Sequence, residues 1–173
     1  LGADWHEEPR IVPGSRTVFV AGSTLKGEEG PVLSAFAALR RLGHSTEIID
    51  ESHFVPTEWR TFAGRAMRKA FRPAMVKELT LRASRLVRLF KPDVLFVFKG
   101  NYVSAELIRD AKASGVLTIN YYPDVSFMTH GRQLPEALPE YDHVFNAKTF
   151  GLADMRAHGV RSVSFLAPGF DPE

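Results

Sequence analysis

From Thr17 onward, short β-branched apolar runs alternate with longer segments whose apolar residues recur at helical spacing. That rhythm is produced by repeated strand–helix–strand units around a parallel sheet. Strands are predicted at Thr17 to Ala21, Ser45 to Asp50, Val94 to Phe98, Leu117 to Tyr121, His143 to Asn146 and Ser162 to Leu166. Most of these runs are nearly continuous in apolar character, as strands covered by helices on both faces require. The expected fold is therefore α/β, a Rossmann-like doubly wound parallel sheet of about six strands in a three-layer αβα sandwich. Residues 1–16 read as an N-terminal extension and 17–173 as one domain.

Between the first two strands, Pro31 to Leu42 sets Val32, Phe36, Leu39 and Leu42 near one helical face and ends at Gly43, a C-terminal stop. Ser104 to Ser114 begins with an N-capping serine and stops at Gly115, and a further helix spans roughly Thr149 to His158 before Gly159. The segment Glu58 to Lys91 differs from its surroundings in charge, with ten Lys and Arg residues against Glu58 and Glu78. Pro73 is expected to break it into two helices, the first using Trp59, Phe62, Ala66 and Met67 as its apolar side, the second Met75, Leu79, Leu86 and Leu89. This basic insert is either a solvated face or a surface for anionic lipid headgroups or a phosphate-bearing acceptor. Nothing beside it resembles a nucleic-acid recognition motif, so no nucleic acid is expected as a partner.

Composition narrows the chemistry further. The formal net charge of +2 favours no class of partner, and the absence of cysteine removes disulfides, zinc-thiolate sites and a thiol nucleophile. The lack of cysteine fits a reducing cytoplasm, and no apolar run approaches the roughly 20 residues of a membrane-spanning helix, so a cytoplasmic protein, at most peripheral at the inner face of the membrane, is expected. No i, i+4 histidine pair or acidic cluster marks a metal, so no metal or cofactor is expected.

In open parallel sheets, ligands bind beyond the C-terminal ends of the strands. The residues there are Gly22 and Ser23 after the first strand, Lys99, Gly100 and Asn101 after the third, and Tyr122, Asp124 and His130 after the fourth. Lys148 follows the fifth strand, and Gly169 and Asp171 follow the sixth. Asp124, beside a proline and aromatics, is the first candidate for a desolvated general base, and His130 the second. Each has a plain alternative, a turn cap for Asp124 and an exposed side chain for His130. The glycines of residues 21–30 do not follow the G-x-G-x-x-G spacing or the Walker A pattern, which disfavours a nicotinamide-dependent oxidoreductase even though Asp50 and Glu51 stand where a ribose-binding carboxylate would lie.

The ordered series Leu42-Gly43-His44, Lys91-Pro92-Asp93-Val94-Leu95-Phe96-Val97-Phe98-Lys99-Gly100, Thr118-Ile119-Asn120-Tyr121-Tyr122-Pro123-Asp124, Tyr141-Asp142-His143-Val144-Phe145 and Pro168-Gly169-Phe170-Asp171-Pro172 resembles the N-terminal domain of the spore-maturation (CgeB-like) glycosyltransferases of the GT-B superfamily. The resemblance implies the acceptor-side half of an enzyme that transfers a sugar from a nucleotide-sugar donor to a glycan, lipid-linked or protein acceptor, usually in a bacterial polysaccharide or glycoprotein pathway. It further implies a C-terminal donor-binding domain absent from this chain, and inactivity of this half alone. Carried over by position, Asp124 would face the interdomain cleft as base or acceptor-orienting group, with Gly22, Ser23, Lys99, Gly100 and Asn101 lining it. The alternative reading is a stand-alone Rossmann-like module that binds a nucleotide or sugar without catalysis.

Overall fold

The computed structural model describes residues 14–22, 31–56 and 61–169. Its core is a six-stranded sheet in the order β2-β1-β3-β4-β5-β6, parallel throughout. The strands are β1 (Arg16–Ala21), β2 (Ser45–Asp50), β3 (Val94–Phe98), β4 (Leu117–Tyr122), β5 (His143–Asn146) and β6 (Val163–Phe165). Between them run the helices α1 (Pro31–Arg41), α2 (Phe62–Phe90), α3 (Ala105–Ala113), α4 (Gln133–Ala137) and α5 (Gly151–Ala157).

Crossovers between parallel strands are right-handed, so the direction of each step decides which face its helix covers. The step from β1 to β2 runs one way and places α1 on one face, where Phe36 meets Phe19 and Phe19 stacks on Phe96. Every later step runs the other way. Val18, Val20, Leu95, Val97 and Val144 thus share a single buried cluster with Leu79, Ala83 and Val87 of α2, Leu107 and Ile108 of α3, and Met155 of α5. Together these form the three expected layers.

The caps follow the sequence. Ser104 Oγ accepts the Leu107 N–H, and Gly43, Gly115 and Gly159 take positive φ after α1, α3 and α5. Leu42, expected on the apolar side of the first helix, lies past its end and is 65% exposed.

The structure corrects the reading of Pro73. The helix is not broken there but runs for 29 residues through it. The missing N–H leaves only the Lys69 carbonyl unserved at an exposed position, while burial of Val76, Leu79, Thr80, Ala83, Ser84 and Val87 fixes the path of the helix after it. At 1.5 Å per residue α2 is about 43 Å long, against roughly 20 Å for a six-residue strand. Its N-terminal half therefore projects past the sheet. Among the described residues no helix is long and apolar enough to cross a membrane.

Candidate active site

The register brings the strand ends to one rim, since Ala21 lies opposite both Asp50 and Phe98, Phe98 opposite Tyr121, Tyr122 opposite Asn146, and Asn146 opposite Phe165. The strand order reverses direction at β1, so the loops after β1 and β3 diverge to opposite faces and open a crevice between them. Gly22 stands on one side of that crevice and Lys99–Tyr102 on the other.

The turn after β3 is unusually sharp. Lys99 and Gly100 take φ of 68° and 78°, and a Cβ on Gly100 would lie 2.5 Å from Val97 Cγ1, so only glycine fits the second position. Lys99 is secured by its own N–H to the Tyr121 carbonyl at 2.8 Å and by Asn120 Nδ2, which donates to the Lys99 carbonyl at 3.1 Å. This conformation carries its side chain sideways across the rim. There Nζ meets Asp124 Oδ2 at 2.5 Å, and His130 Nε2 lies 3.1 Å from the same oxygen.

Asp124 is 37% exposed, so partnership with two basic groups, not the expected desolvation, defines its environment. His130 is 25% exposed and rests edge-on against Tyr122, with ring centres 6.3 Å apart. Tyr122 itself is fully buried. Burial, reinforced by the Asp124 charge, raises its hydroxyl above the usual tyrosine range, and the ring supports His130 from beneath instead of presenting a surface to ligand. An open groove of about 310 Å³ begins where this cluster ends, lined by Val125, Met128, Asp154 and His158.

The sequence puts Glu51 where a ribose-binding carboxylate would lie, for a cofactor whose glycine pattern is lacking, and the structure gives it a different place. Asp50 Oδ1 accepts both the backbone N–H and the hydroxyl of Ser52, at 2.7 and 2.6 Å, which starts a 3₁₀ turn and carries Glu51 inward. The Glu51 side chain is 2% exposed and lies under both sides of the crevice. Oε1 accepts the Tyr102 N–H at 3.3 Å, and Oε2 lies 3.7 Å from where a Gly22 Cβ would stand. Burial raises its pKa from the ordinary 4.5 to about 7. The Tyr102 N–H opposes that rise, the Asp50 charge adds to it, and Lys99 and the Asn101 N–H oppose it.

The other expected residues divide. Asn101 sits at the crevice with its Oδ1 buried and unpartnered among the described residues. Lys148 is half-buried beyond β5, its N–H bonded to Asn146 Oδ1 at 2.8 Å, and Gly169 is exposed with open space around it. Among the described residues, no contact brings either of them to the Lys99–Asp124–His130 cluster. Ser23 and Asp171 lie outside the described residues.

No protein-family model matches the chain, and no curated protein matches it. Among solved structures it is similar to UGT73P12 of Glycyrrhiza uralensis, crystallised with glycyrrhetinic acid 3-O-monoglucuronide, at a TM-score of 0.51 and 9% identity. The match covers 89% of this chain and 49% of that one, so this chain spans about half the length of its structural neighbour. At that identity the likeness shows the fold alone, an α/β Rossmann-like parallel sheet.

Proposed function

We propose that this chain is the acceptor-side half of a GT-B glycosyltransferase of the CgeB-like kind, and that His130 and Asp124 handle the proton of the acceptor hydroxyl. The observation that carries this reading is the cluster of Lys99, Asp124 and His130 on one carboxylate oxygen, beside the crevice at the sheet's switch point. A structural neighbour is a UDP-glycosyltransferase of GT-B architecture, of which the match covers 49%, and that accords with a donor-binding second half.

The geometry favours a division of labour between the two residues. With Nε2 held against Asp124, the His130 imidazole offers Nδ1 as the acceptor of a proton, and Asp124 orients the ring and stabilises the charge it gains. The acceptor's O–H bond then breaks as its oxygen bonds to the anomeric carbon of the donor, and the nucleoside diphosphate leaves with the electron pair of the old glycosidic bond. The groove from Val125 to His158 would seat the body of the acceptor. The nucleotide-sugar belongs to the second half, and no metal or further cofactor is required by the residues on this rim.

The test is sugar transfer by the protein that carries this half together with its donor-binding half, followed by release of nucleoside diphosphate across a panel of nucleotide-sugars. His130→Ala should lower turnover by about two to four orders of magnitude, as loss of a general base does, and Asp124→Ala should lower it in the same direction. Turnover close to wild type in His130→Ala would remove that residue from the role. Absence of transfer from every donor, despite intact folding, would return the chain to the class of non-catalytic binding modules.

A further inference from the structure

The residues of α2 that dock on the sheet form one stripe, Val76, Leu79, Ala83 and Val87, at helical spacing. Continued toward the N-terminus at the same spacing, that stripe becomes Arg72, Lys69 and Arg65. The change from apolar to basic comes where α2 leaves the sheet, so the side that packs on the core below the rim becomes a cationic wall above it. Two contacts fix this orientation. The Arg72 guanidinium lies 5.8 Å from the centre of the Tyr102 ring, and Arg68 Nη1 donates to the Pro56 carbonyl at 3.4 Å.

Arg72 is the residue that reaches the site. Its Nη1 lies 3.2 Å from where a Cβ on Gly131 would stand, immediately after His130, and the φ of 96° favours glycine there, whose missing side chain leaves that space clear. Its Nε is buried without a hydrogen-bond partner among the described residues, which is costly for a charged fork unless a ligand completes it. From Phe62 to Lys77 the helix carries no carboxylate, and the first one, Glu78, is paired with Arg82 at 2.7 Å. On the rim, Asp124 is already shared by Lys99 and His130, and Glu51 is buried under the crevice with its Oε1 on the Tyr102 N–H.

We infer that Arg72, backed by Lys69 and Arg65, recognises a phosphate or diphosphate group on the acceptor and holds it beside His130; this rests on reading the rim as an acceptor site. Three cations spread over about 10 Å of helix suit a multiply charged phosphoryl group better than a single carboxylate. The phosphate belongs either to a soluble acceptor or to a lipid headgroup. The outward side of the same half carries Met67 and Phe71, 51% and 54% exposed, which would enter a lipid surface only in the second case.

The experiment is a titration of the isotopically labelled 173-residue chain with inorganic pyrophosphate, with sodium chloride at matched ionic strength as control, read from backbone amide shifts. Saturable shifts at Tyr102 and Gly131 are expected, with affinity falling at least tenfold in Arg72→Gln and about threefold in Lys69→Gln. Circular dichroism of both variants checks that α2 persists. Shifts that do not saturate, or that Arg72→Gln leaves unchanged, overturn the inference.

A second arm uses vesicles of phosphatidylglycerol in phosphatidylcholine. Sedimentation lost in both Arg72→Gln and Phe71→Ser assigns the phosphate to a lipid headgroup, whereas Arg72-dependent pyrophosphate binding without sedimentation assigns it to a soluble acceptor. Neither readout needs turnover, so Arg72-dependent binding together with absence of transfer from every donor would remove the glycosyl-transfer reading alone.

Discussion

Replacing Glu51 with glutamine isolates the most perturbed carboxyl at the candidate site. The side chain is 2% exposed, and burial, despite the opposing Tyr102 N–H, raises its pKa from 4.5 to about 7. The folded state therefore holds this proton more tightly than the unfolded chain. Between about pH 4.5 and 7 folding takes up a proton, so the stability associated with the neutral carboxyl is full below that window and is lost as pH rises through it. Each tenfold in proton affinity corresponds to about 1.4 kcal/mol, so the whole loss is on the order of 3 kcal/mol. Glutamine keeps an Oε1 to accept the Tyr102 N–H but cannot ionise. Urea denaturation of the two proteins at pH 5, 6, 7 and 8 should give similar stabilities at pH 5 and a glutamine variant more stable by up to about 3 kcal/mol at pH 8. The difference between the proteins, not either curve alone, is the quantity to follow, since other groups titrate equally in both. Two parallel profiles across this range would refute the burial argument and imply that water or another donor satisfies the Glu51 carboxylate in solution.

Gly100→Ala would force a Cβ to within 2.5 Å of Val97 Cγ1 at a φ of 78°. A loss of about 2–4 kcal/mol in denaturant unfolding is expected, and a loss below about 1 kcal/mol would show that the turn after β3 relaxes freely. Pro73→Ala should restore a donor to the Lys69 carbonyl in mid-helix and raise stability by about 1–3 kcal/mol, whereas an unchanged or lower midpoint would contradict a continuous α2.

The strands were legible because most are apolar or β-branched runs bounded by helical segments, and β2, β3 and β5 begin and end where the pattern places them, although β2 has only Ile48 and Ile49 as its apolar residues. β6 is shorter than predicted, with Val163 to Phe165 in register with β5, although the pairing reaches both predicted ends: the Ser162 carbonyl accepts the Val144 N–H at 2.9 Å and the Leu166 N–H donates to the Asn146 carbonyl at 3.1 Å. β4 extends one residue further, and that residue is Tyr122. Its place inside the strand explains why a side chain expected to meet ligand lies wholly in the core. Pro73 misled for a related reason. A local rule about proline was applied where packing of Val76 to Val87 against the sheet sets the course of the helix. On the rim, the strand-end rule found Lys99, Asp124 and His130 because parallel register sets the loops after β3 and β4 side by side, and the left-handed turn at Lys99 and the 3₁₀ turn Phe127–His130 complete the cluster. It gave Glu51 no part in that cluster, because a hydrogen-bonded turn from Asp50 to Ser52 moves the side chain under the crevice, and no periodicity records that. Nor could the count of basic residues in α2 tell which of them reaches the site. That depends on the phase of the helix relative to the sheet, which the buried stripe fixes only once its partners are known.

Lys99 carries a separate argument about where the chemistry lies. A non-glycine residue at φ 68° is held in a region that side chains avoid, at a cost of about 1–2 kcal/mol. Glycine would make the same turn without that cost, and Gly100 beside it shows that the chain uses glycine here when shape alone is needed. What lysine adds is a charge between two acids, Asp124 in direct contact and Glu51 within electrostatic reach. Asn120 is spent from the buried face of β4 to hold the Lys99 carbonyl, so the strained backbone is over-determined by the structure around it. Strain maintained in this way, at the end of a strand beside the switch point, concentrates at functional sites because the geometry it produces has no cheaper source. Here that geometry is the ammonium group beside Asp124, which fixes the carboxylate that in turn orients His130.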